Sequence, residues 1–600
     1  MRLRTRAPED SFARAGRRPL HPLAWLVPAA VVLRLVLFLG RGDYVAYDEA
    51  FYLLLGRNLW SGAGFTLSGL RHIALSPLFP ILAGGVDRVL GDAVWAGRVV
   101  AAVTSGLLVL PCWSIFNRLA GRRTALLACI LIAVLPSLAP YGSPFWVGWD
   151  LWVGAEPVLH LFLFCGIAFV LRGFERGRIR DWAAAGAAFG LAYLARPEAV
   201  IPFGLLGLAA AATLLVRRRL RGLASSVAFG AAFIIIALPY WIYLHDATGR
   251  WTLTGRGVQI SLPTPRDEAG GGGGGPTKVI EGMLWQGRIA PYVRQLYALD
   301  ASGVHLASDY WGVPVKTSAP AGNAERAVAT PPDRPETSAR DTARIDRARP
   351  DPPGAFQRLW FYVRALEIVV PWFLWPLVAL GLLAPRRRNA ATEWAVTGTL
   401  AATSFLIATV VAIDPRTQLF LAPVLVFYAA RGIRLAGAHF DRRHPGALRR
   451  GFVGALLATT VGVVLFGDDV RQLYLGLAVG SAQQIAAAHN RRAADVLEDV
   501  IPRDEPIVSW HPALAVYARR DWRVRPRATF GETVRYAAAN GYRYVVFSVI
   551  YPLPSAIERM PHEYMVVEVP SDLNTQADGR FRIEVTDIAE NCAIGRLVAE

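Results

Sequence analysis

The stretch LAWLVPAAVVLRLVLFLGRGDYVAYDEAFYLLLGRNLW (Leu23–Trp60) decides how the chain is read. Its first half is one apolar run of the length that crosses a bilayer, about 20 residues. Its second half sets down Asp43, Asp48 and Glu49, then returns to apolar residues rich in aromatics. A simple anchor needs no such acidic step followed by an interfacial stripe.

Composition extends this reading. The chain has 600 residues, of which 54% are hydrophobic and only 18% charged, with a mean hydropathy of +0.33. Soluble domains carry about 25% charged residues. The formal net charge of +18 is made of short arginine clusters between apolar blocks, a pattern of membrane topology rather than of a nucleic-acid-binding face. Lysine occurs only at Lys278 and Lys316, a residue usage that points to a GC-rich bacterial genome. Cys112, Cys129, Cys165 and Cys592 form no disulfide framework or CxxC pair. No small-residue cleavage site follows the first apolar run, so a retained first span is expected.

Apolar blocks predict eleven spans, at about 22–40, 96–117, 124–141, 151–171, 181–196, 198–216, 222–244, 364–384, 391–413, 418–436 and 451–467. The block Ser76–Leu90 is apolar but holds Pro77, Pro80, Gly84, Gly85, Asp87 and Arg88, and reads as an interfacial or re-entrant segment. With the N-terminus (1–21) inside, the arginines near 14–18, 118–123, 172–180, 217–221, 386–388 and 442–450 all fall on the inner side. The expected protein is therefore mostly α and polytopic, in the cytoplasmic membrane, with a cytoplasmic N-terminus and a transmembrane domain over 22–467.

Two segments then face outward: a first loop at 41–91 and a long loop at 245–357. The long loop contains a glycine run, Gly270–Gly275, and a Pro- and Ala-rich polar part, Thr317–Ala355, expected to be disordered. Residues 468–600 read as an extracytoplasmic α/β domain, with strands in EPIVSW (505–510), YRYVVFSV (542–549), EYMVVEV (563–569) and FRIEVTDI (581–588) and a helix in FGETVRYAAANG (530–541).

For Asp48 the residues leave two readings open. It caps a surface helix, its side chain accepting a backbone N–H, with Glu49 suited to the positive helix end. Alternatively the same geometry holds a carboxylate at headgroup height, where it takes a proton from an acceptor hydroxyl.

A resemblance bears on that choice. YDEAFYLLLGRNL (Tyr47–Leu59) resembles the first-loop motif of GT-C membrane glycosyltransferases of the protein O-mannosyltransferase and aminoarabinose transferase type. SPLFPIL (Ser76–Leu82), AGRVVAAV (Ala96–Val103), GAEPVLHLF (Gly154–Phe162), AAGAAFGLAYLARPEAVI (Ala184–Ile201) and DPRTQLFLAPVLVFYAARG (Asp414–Gly432) are similar to further segments of that family, in the family's order.

The resemblance implies inverting transfer of a monosaccharide from a polyprenyl-phosphate sugar donor to a hydroxyl of a lipid, glycan or protein acceptor on the outer face. It puts Asp48 at the catalytic base, Glu49 beside it as an orienting or binding carboxylate, and Arg416 at the donor phosphate. Arg57, Arg71 and Arg196 are added as phosphate candidates from their expected outer-face positions, since a guanidinium fork binds phosphate bidentately. No cofactor is called for. A divalent metal is left open, because Ala74 and Leu75 stand where the aminoarabinose transferases carry an acidic residue and a lysine. The competing class is a polytopic transporter, or a lipid- or sugar-handling protein without transferase activity. Against a transporter, the two halves of the chain show no internal repeat.

Overall fold

The computed structural model describes residues 21–40, 45, 47–135, 153–216, 220–255, 297–300, 303–306, 313–314, 366, 369–384, 390–410, 415–444, 451–475, 482–509, 512–524, 537–538, 540–548, 581–589 and 592–599. The fold is mostly helical. Helices α1 (Leu23–Gly40), α2 (Tyr47–Trp60), α3 (Leu78–Leu90), α4 (Ala93–Leu107), α5 (Val109–Ala120), α6 (Arg122–Ala133), α7 (Glu156–Arg176), α8 (Ile179–Ala195), α9 (Val200–Val216) and α10 (Leu220–Thr248) make up the first half. After the long loop come α11 (Trp375–Leu383), α12 (Ala390–Val410), α13 (Ala422–Arg443), α14 (Phe452–Leu475) and α15 (Ala482–Val500).

Among the described residues five helical stretches are long and apolar enough to cross a membrane: Leu23–Gly40, Ala93–Ala120, Glu156–Arg176, Gly222–Thr248 and Gln418–Arg443. Three of them bury 67–72% of their apolar window in the protein, whereas Leu23–Gly40 and Gly222–Thr248 bury 22% and 28%. The first set forms the centre of the bundle. The second set turns Trp25, Val32, Leu223 and Ile235 outward, as side chains facing lipid would be. The 93–120 stretch bends at Leu108, where α4 gives way to α5. Pro111 has no N–H for the carbonyl of Leu107, which accounts for the bend.

Between α1 and α4 lies a compact helix–hairpin–helix unit. Helix α2 is followed by a short hairpin, β1 (Thr66–Leu67) and β2 (Leu70–Arg71), and then by α3. The proline and glycines of Ser76–Leu90 do not interrupt α3. Pro80 sits in its first turn, where no helical N–H partner is needed. Gly84 lies where α3 crosses α2 at backbone contact: a Cβ there would stand 2.4 Å from the carbonyl oxygen of Gly56. Trp60 Nε1 donates to the Ile81 carbonyl at 2.9 Å, and Asn58 Nδ2 to the Thr66 carbonyl at 2.8 Å. Helix, hairpin and α3 are thus knitted into one piece.

The long segment after α10 contributes β3 (Tyr297–Asp300), β4 (Gly303–Leu306) and β5 (Val313–Pro314), the last pairing with β2. Its glycine run and Thr317–Ala355 lie outside the described residues. Beyond α14 a mixed five-stranded sheet forms in the order β7-β6-β8-β10-β9, from β6 (Ile507–Ser509), β7 (Trp522–Val524), β8 (Tyr544–Ser548), β9 (Phe581–Ala589) and β10 (Cys592–Ala599). A short helix, α16 (Ala513–Tyr517), joins β6 to β7. Three of the expected strands coincide with β6, β8 and β9. The strand expected at 563–569 and most of the helix expected at 530–541 lie outside the described residues. Helix α14 runs through Asp468 to Leu475 rather than ending at 467: the apolar run limits a span, but the residues after it are tolerated in a helix interior.

Candidate active site

The first turn of α2 holds Asp48 as its second residue, inside the helix rather than before it. The Asp48 side chain lies outside the described residues, as do the first 20 residues of the chain. Glu49, next in line, is 1% exposed. Its Oε1 accepts the backbone N–H of Val153 at 2.9 Å, tying the start of α2 to the segment that leads into α7.

Helix α7 begins with Glu156, followed by Pro157 in its first turn. The turn between α8 and α9 is Arg196–Pro197–Glu198, with Arg196 in extended backbone geometry. These two segments meet through a buried three-residue ion cluster. Arg196 Nη1 donates to Glu156 Oε1 at 2.5 Å, and Nη2 donates to Glu198 Oε1 at 3.0 Å. Their side chains are 12%, 6% and 8% exposed, in the order Arg196, Glu156, Glu198. One guanidinium therefore serves two carboxylates, a pairing such burial requires. Tyr52, one turn beyond Asp48 on α2, lies within electrostatic reach of Arg196 and packs edge-on against Phe79 of α3 at 5.3 Å. Three sequence motifs separated by long intervals, at 47–52, 153–157 and 195–198, so come together at one end of the bundle.

Two buried polar atoms here have no hydrogen-bond partner among the described residues: Glu156 Oε2 and His160 Nε2, one helical turn apart on α7. His160 lines a small cavity with Leu419, Ala422 and Pro423. The turn at Pro415–Leu421, which carries Arg416, runs directly into α13. The Arg416 side chain lies outside the described residues. Gln418, in the same turn, is fully buried and receives a hydrogen bond from Ser404.

The other two candidate arginines are placed elsewhere. Arg71, on β2, makes an ion pair with Asp246 near the end of α10, and both are substantially exposed. Arg57, in the last turn of α2, donates to the carbonyls of Ala515 and Val516 at 3.2 Å each. Burial pulls its guanidinium below the ordinary arginine pKa, with the nearby Asp87 carboxylate acting in the opposite sense. His72 is buried, its Nε2 accepting the Leu75 N–H at 3.0 Å, so that ring nitrogen is a structural acceptor. Among the described residues no group of three or more His, Cys, Asp and Glu side chains could hold a metal ion.

Arg98, in the AGRVV segment, is also buried, its guanidinium 5.0 Å from the Trp95 ring centroid and 5.6 Å from that of Phe38. Sequence reasoning assigned no role to Glu156, Glu198, His160 or Arg98, although each stands inside a quoted motif. The signal for the first two is a carboxylate beside a proline at the mouth of a span, where an isolated charge is costly and needs a partner.

Residues 75–243, from the end of the hairpin unit through α10, match the family model of the dolichyl-phosphate-mannose-protein mannosyltransferases. The structure superposes on that of ArnT from Cupriavidus metallidurans bound to undecaprenyl phosphate with a TM-score of 0.52, at 14% identity, over 96% of this chain and 98% of that one. The chain thus shares the fold of that ArnT over nearly its whole length, and residues 75–243 carry the likeness to the mannosyltransferase family. ArnT in its apo state gives a TM-score of 0.50 at 14% identity, over 95% and 97% of the two chains. The archaeal oligosaccharyltransferase AglB from Archaeoglobus fulgidus gives 0.42 at 12% identity, over 88% of this chain and 69% of AglB. No curated protein sequence matches this chain. The family match includes Glu156, Arg196 and Glu198 but begins after α2, so it says nothing of Asp48.

Proposed function

We propose that the chain transfers a monosaccharide from a polyprenyl-phosphate donor to an acceptor hydroxyl at the outer face of the cytoplasmic membrane, with inversion. The observation that carries this reading is the full-length fold likeness to an ArnT whose structure holds undecaprenyl phosphate, joined to the mannosyltransferase family match over 75–243. Asp48 is the general base in this proposal. It stands in the first turn of a helix pinned at Glu49 and close to the buried Glu156–Arg196–Glu198 cluster through Tyr52. The base removes the acceptor proton as the hydroxyl oxygen attacks the anomeric carbon and the lipid phosphate departs. Positioning plus proton abstraction of this kind contributes about 10²–10⁴-fold.

Phosphate contact rests on Arg416. Arg196, Arg57 and Arg71 are each engaged with protein groups and are better described as structural cations. The acceptor is a lipid, glycan or protein hydroxyl. Eleven spans, the C-terminal sheet outside and the N-terminus inside complete the proposal. Reporter fusions after Arg221 and Arg388 are expected to read cytoplasmic, and one at the C-terminus extracytoplasmic; a cytoplasmic C-terminal reporter overturns the topology.

The test of function is reconstitution. The purified chain is placed in vesicles with radiolabelled undecaprenyl-phosphate mannose, arabinose, aminoarabinose or galacturonate and a washed envelope fraction as acceptor. Label moving from the lipid donor to the envelope fraction supports transfer. Label that enters the vesicle lumen with the donor bond intact supports a transporter instead.

A further inference from the structure

The strongest feature outside the ion cluster is the seam between the first outer loop and the C-terminal sheet. All three parts of the first-loop unit touch residues 513–523. On α2, Arg57 donates to the carbonyls of Ala515 and Val516, and the Phe51 ring packs 5.6 Å from the ring of Trp522. At the hairpin turn, the Arg523 guanidinium lies against Gly69, so close that a Cβ there would be 3.2 Å from it. At the end of α3, Arg519 donates to the Gly91 carbonyl. Trp522 is buried, and its Nε1 donates to Ser509 of β6, so the seam continues into the sheet itself.

The seam bears on α2 more than on any other element. The helix is short, 14 residues, and isolated helices of that length are marginal in water. Its start is held at Glu49, and its C-terminal part at the Gly56–Gly84 crossing and at the neighbouring Arg57. Arg57 and Asp48 are nine residues apart on one rigid helix, roughly 13 Å by helical rise. The part-buried Arg57 guanidinium bonds the carbonyls of two buried residues, Ala515 and Val516, and its fork fixes the helix in rotation as well as in distance.

We infer that Arg57 is a positioning residue through which the C-terminal sheet sets the placement of the helix that carries Asp48. The inference rests on the transfer reading of Asp48, and it assigns the C-terminal segment a part in turnover rather than in donor binding. Misplacement of a reacting group by about 1 Å, caused far from the chemistry, costs up to about 10²-fold. Loss of the Arg57 fork is therefore expected to lower kcat by about 10-fold or more while leaving KM for the donor unchanged.

The test uses the full-length chain in nanodiscs, as Arg57→Ala and Arg57→Lys. Transfer is measured with whichever undecaprenyl-phosphate sugar of the panel above the native chain uses. Amide hydrogen exchange is followed on peptides covering 47–60 and 513–524. Expected results for Arg57→Ala are a lowered kcat, an unchanged donor KM and faster exchange on both peptides, with Arg57→Lys recovering only part because it lacks the fork. A raised donor KM at native kcat overturns the inference and returns Arg57 to the phosphate. Native kcat and native exchange also overturn it. If Arg57→Ala fails to fold, Arg57→Lys decides: a lowered kcat at native donor KM supports the inference, and a native kcat overturns it. If the native chain transfers none of the sugars, the transfer reading fails, and the exchange arm alone decides whether Arg57 couples α2 to the C-terminal sheet.

Discussion

Arg196 Nη1 and Glu156 Oε1 lie 2.5 Å apart although 40 residues separate them in the chain. With Glu198 on the other side of the guanidinium, the two openings of α7 and α9 are fastened to each other at one point. Tyr52, on the helix that carries Asp48, is within electrostatic reach of this fastening, so the proposed chemistry at Asp48 is expected to depend on it.

Removal of the shared cation should be costly. Arg196→Gln leaves Glu156 and Glu198 buried with no compensating charge, and breaking a buried pair in this way costs about 3–5 kcal/mol. Arg196→Gln with Glu156→Gln removes one charge of each sign and leaves only Glu198 uncompensated. The double variant is expected to unfold at a higher temperature than Arg196→Gln alone. Thermal unfolding in detergent, followed by tryptophan fluorescence, checks the order. A double variant no more stable than the single one would mean that the ion cluster is not a structural unit.

Glu49 separates charge from hydrogen bonding. Glu49→Gln keeps an oxygen that can accept the Val153 N–H, and Glu49→Ala leaves that buried N–H without a partner. Alanine is expected to cost about 1–3 kcal/mol, the penalty of an unsatisfied buried donor. Glutamine should unfold close to the native temperature. If glutamine also abolishes transfer while stability is native, the Glu49 charge itself takes part in the reaction; equal losses of stability for both variants would contradict the hydrogen-bond account.

The α2–α3 crossing makes a steric prediction. A Cβ at Gly84 would meet the Gly56 carbonyl oxygen at 2.4 Å, and a Cβ at Gly56 would meet the Pro80 carbonyl oxygen at 2.6 Å. In both cases the obstructing atom is backbone and cannot turn away. Gly84→Ala should therefore push the helices apart, at a cost of about 1–3 kcal/mol for overpacking, and lower transfer as α2 shifts. Gly62, with nothing within 4 Å of its would-be Cβ but a φ of +90°, offers a contrast, since its strain is conformational and local to the turn. Loss of transfer in Gly84→Ala with native transfer in Gly62→Asn, a residue that tolerates positive φ, would separate helix spacing from turn strain. Equal activity of both variants would argue against the crossing as a determinant of α2 placement.

How much of this was legible in the sequence depended on the range of the interaction. Apolar blocks announce helices because hydropathy is read within one segment, and α1, α7, α10 and α13 stand where the blocks are. The glycines of α3 read as breakers because the reason for them, the backbone of α2, lies far off in sequence. The motif carboxylates were visible, but nothing local joins Glu156 to Arg196. Arg57 is the clearest case. An arginine among apolar residues near a membrane suggests phosphate or headgroups, yet its hydrogen-bond partners are carbonyls more than 450 residues away. Backbone acceptors carry no side-chain signature, so no motif could have pointed to them.

Asp48 and Arg416 divide the labour of the proposed reaction, and paired substitutions separate them. Asp48→Asn preserves side-chain shape and the capacity to accept a hydrogen bond near the start of α2. It removes the charge and the basicity, at a cost to the first turn of only about 0.3–1 kcal/mol for the lost helix-dipole interaction. If Asp48 does no more than stabilise the first turn of α2, transfer stays near the native rate. If it is the base, turnover falls by about 10² or more while the protein remains folded. Binding of undecaprenyl phosphate to Asp48→Asn should be at least as tight as native, since a negative charge near the phosphate has been removed. Arg416→Ala is expected to act on that binding instead. Loss of a hydrogen bond to a charged group is worth about 1.5–3 kcal/mol, or roughly 10- to 150-fold in affinity. Titration of both variants with undecaprenyl phosphate in nanodiscs, beside transfer rates from the labelled donor, gives the four numbers that decide. Native transfer by Asp48→Asn removes the base from the mechanism and leaves that carboxylate a helix-start residue. Native binding by Arg416→Ala reassigns the phosphate to a cation elsewhere.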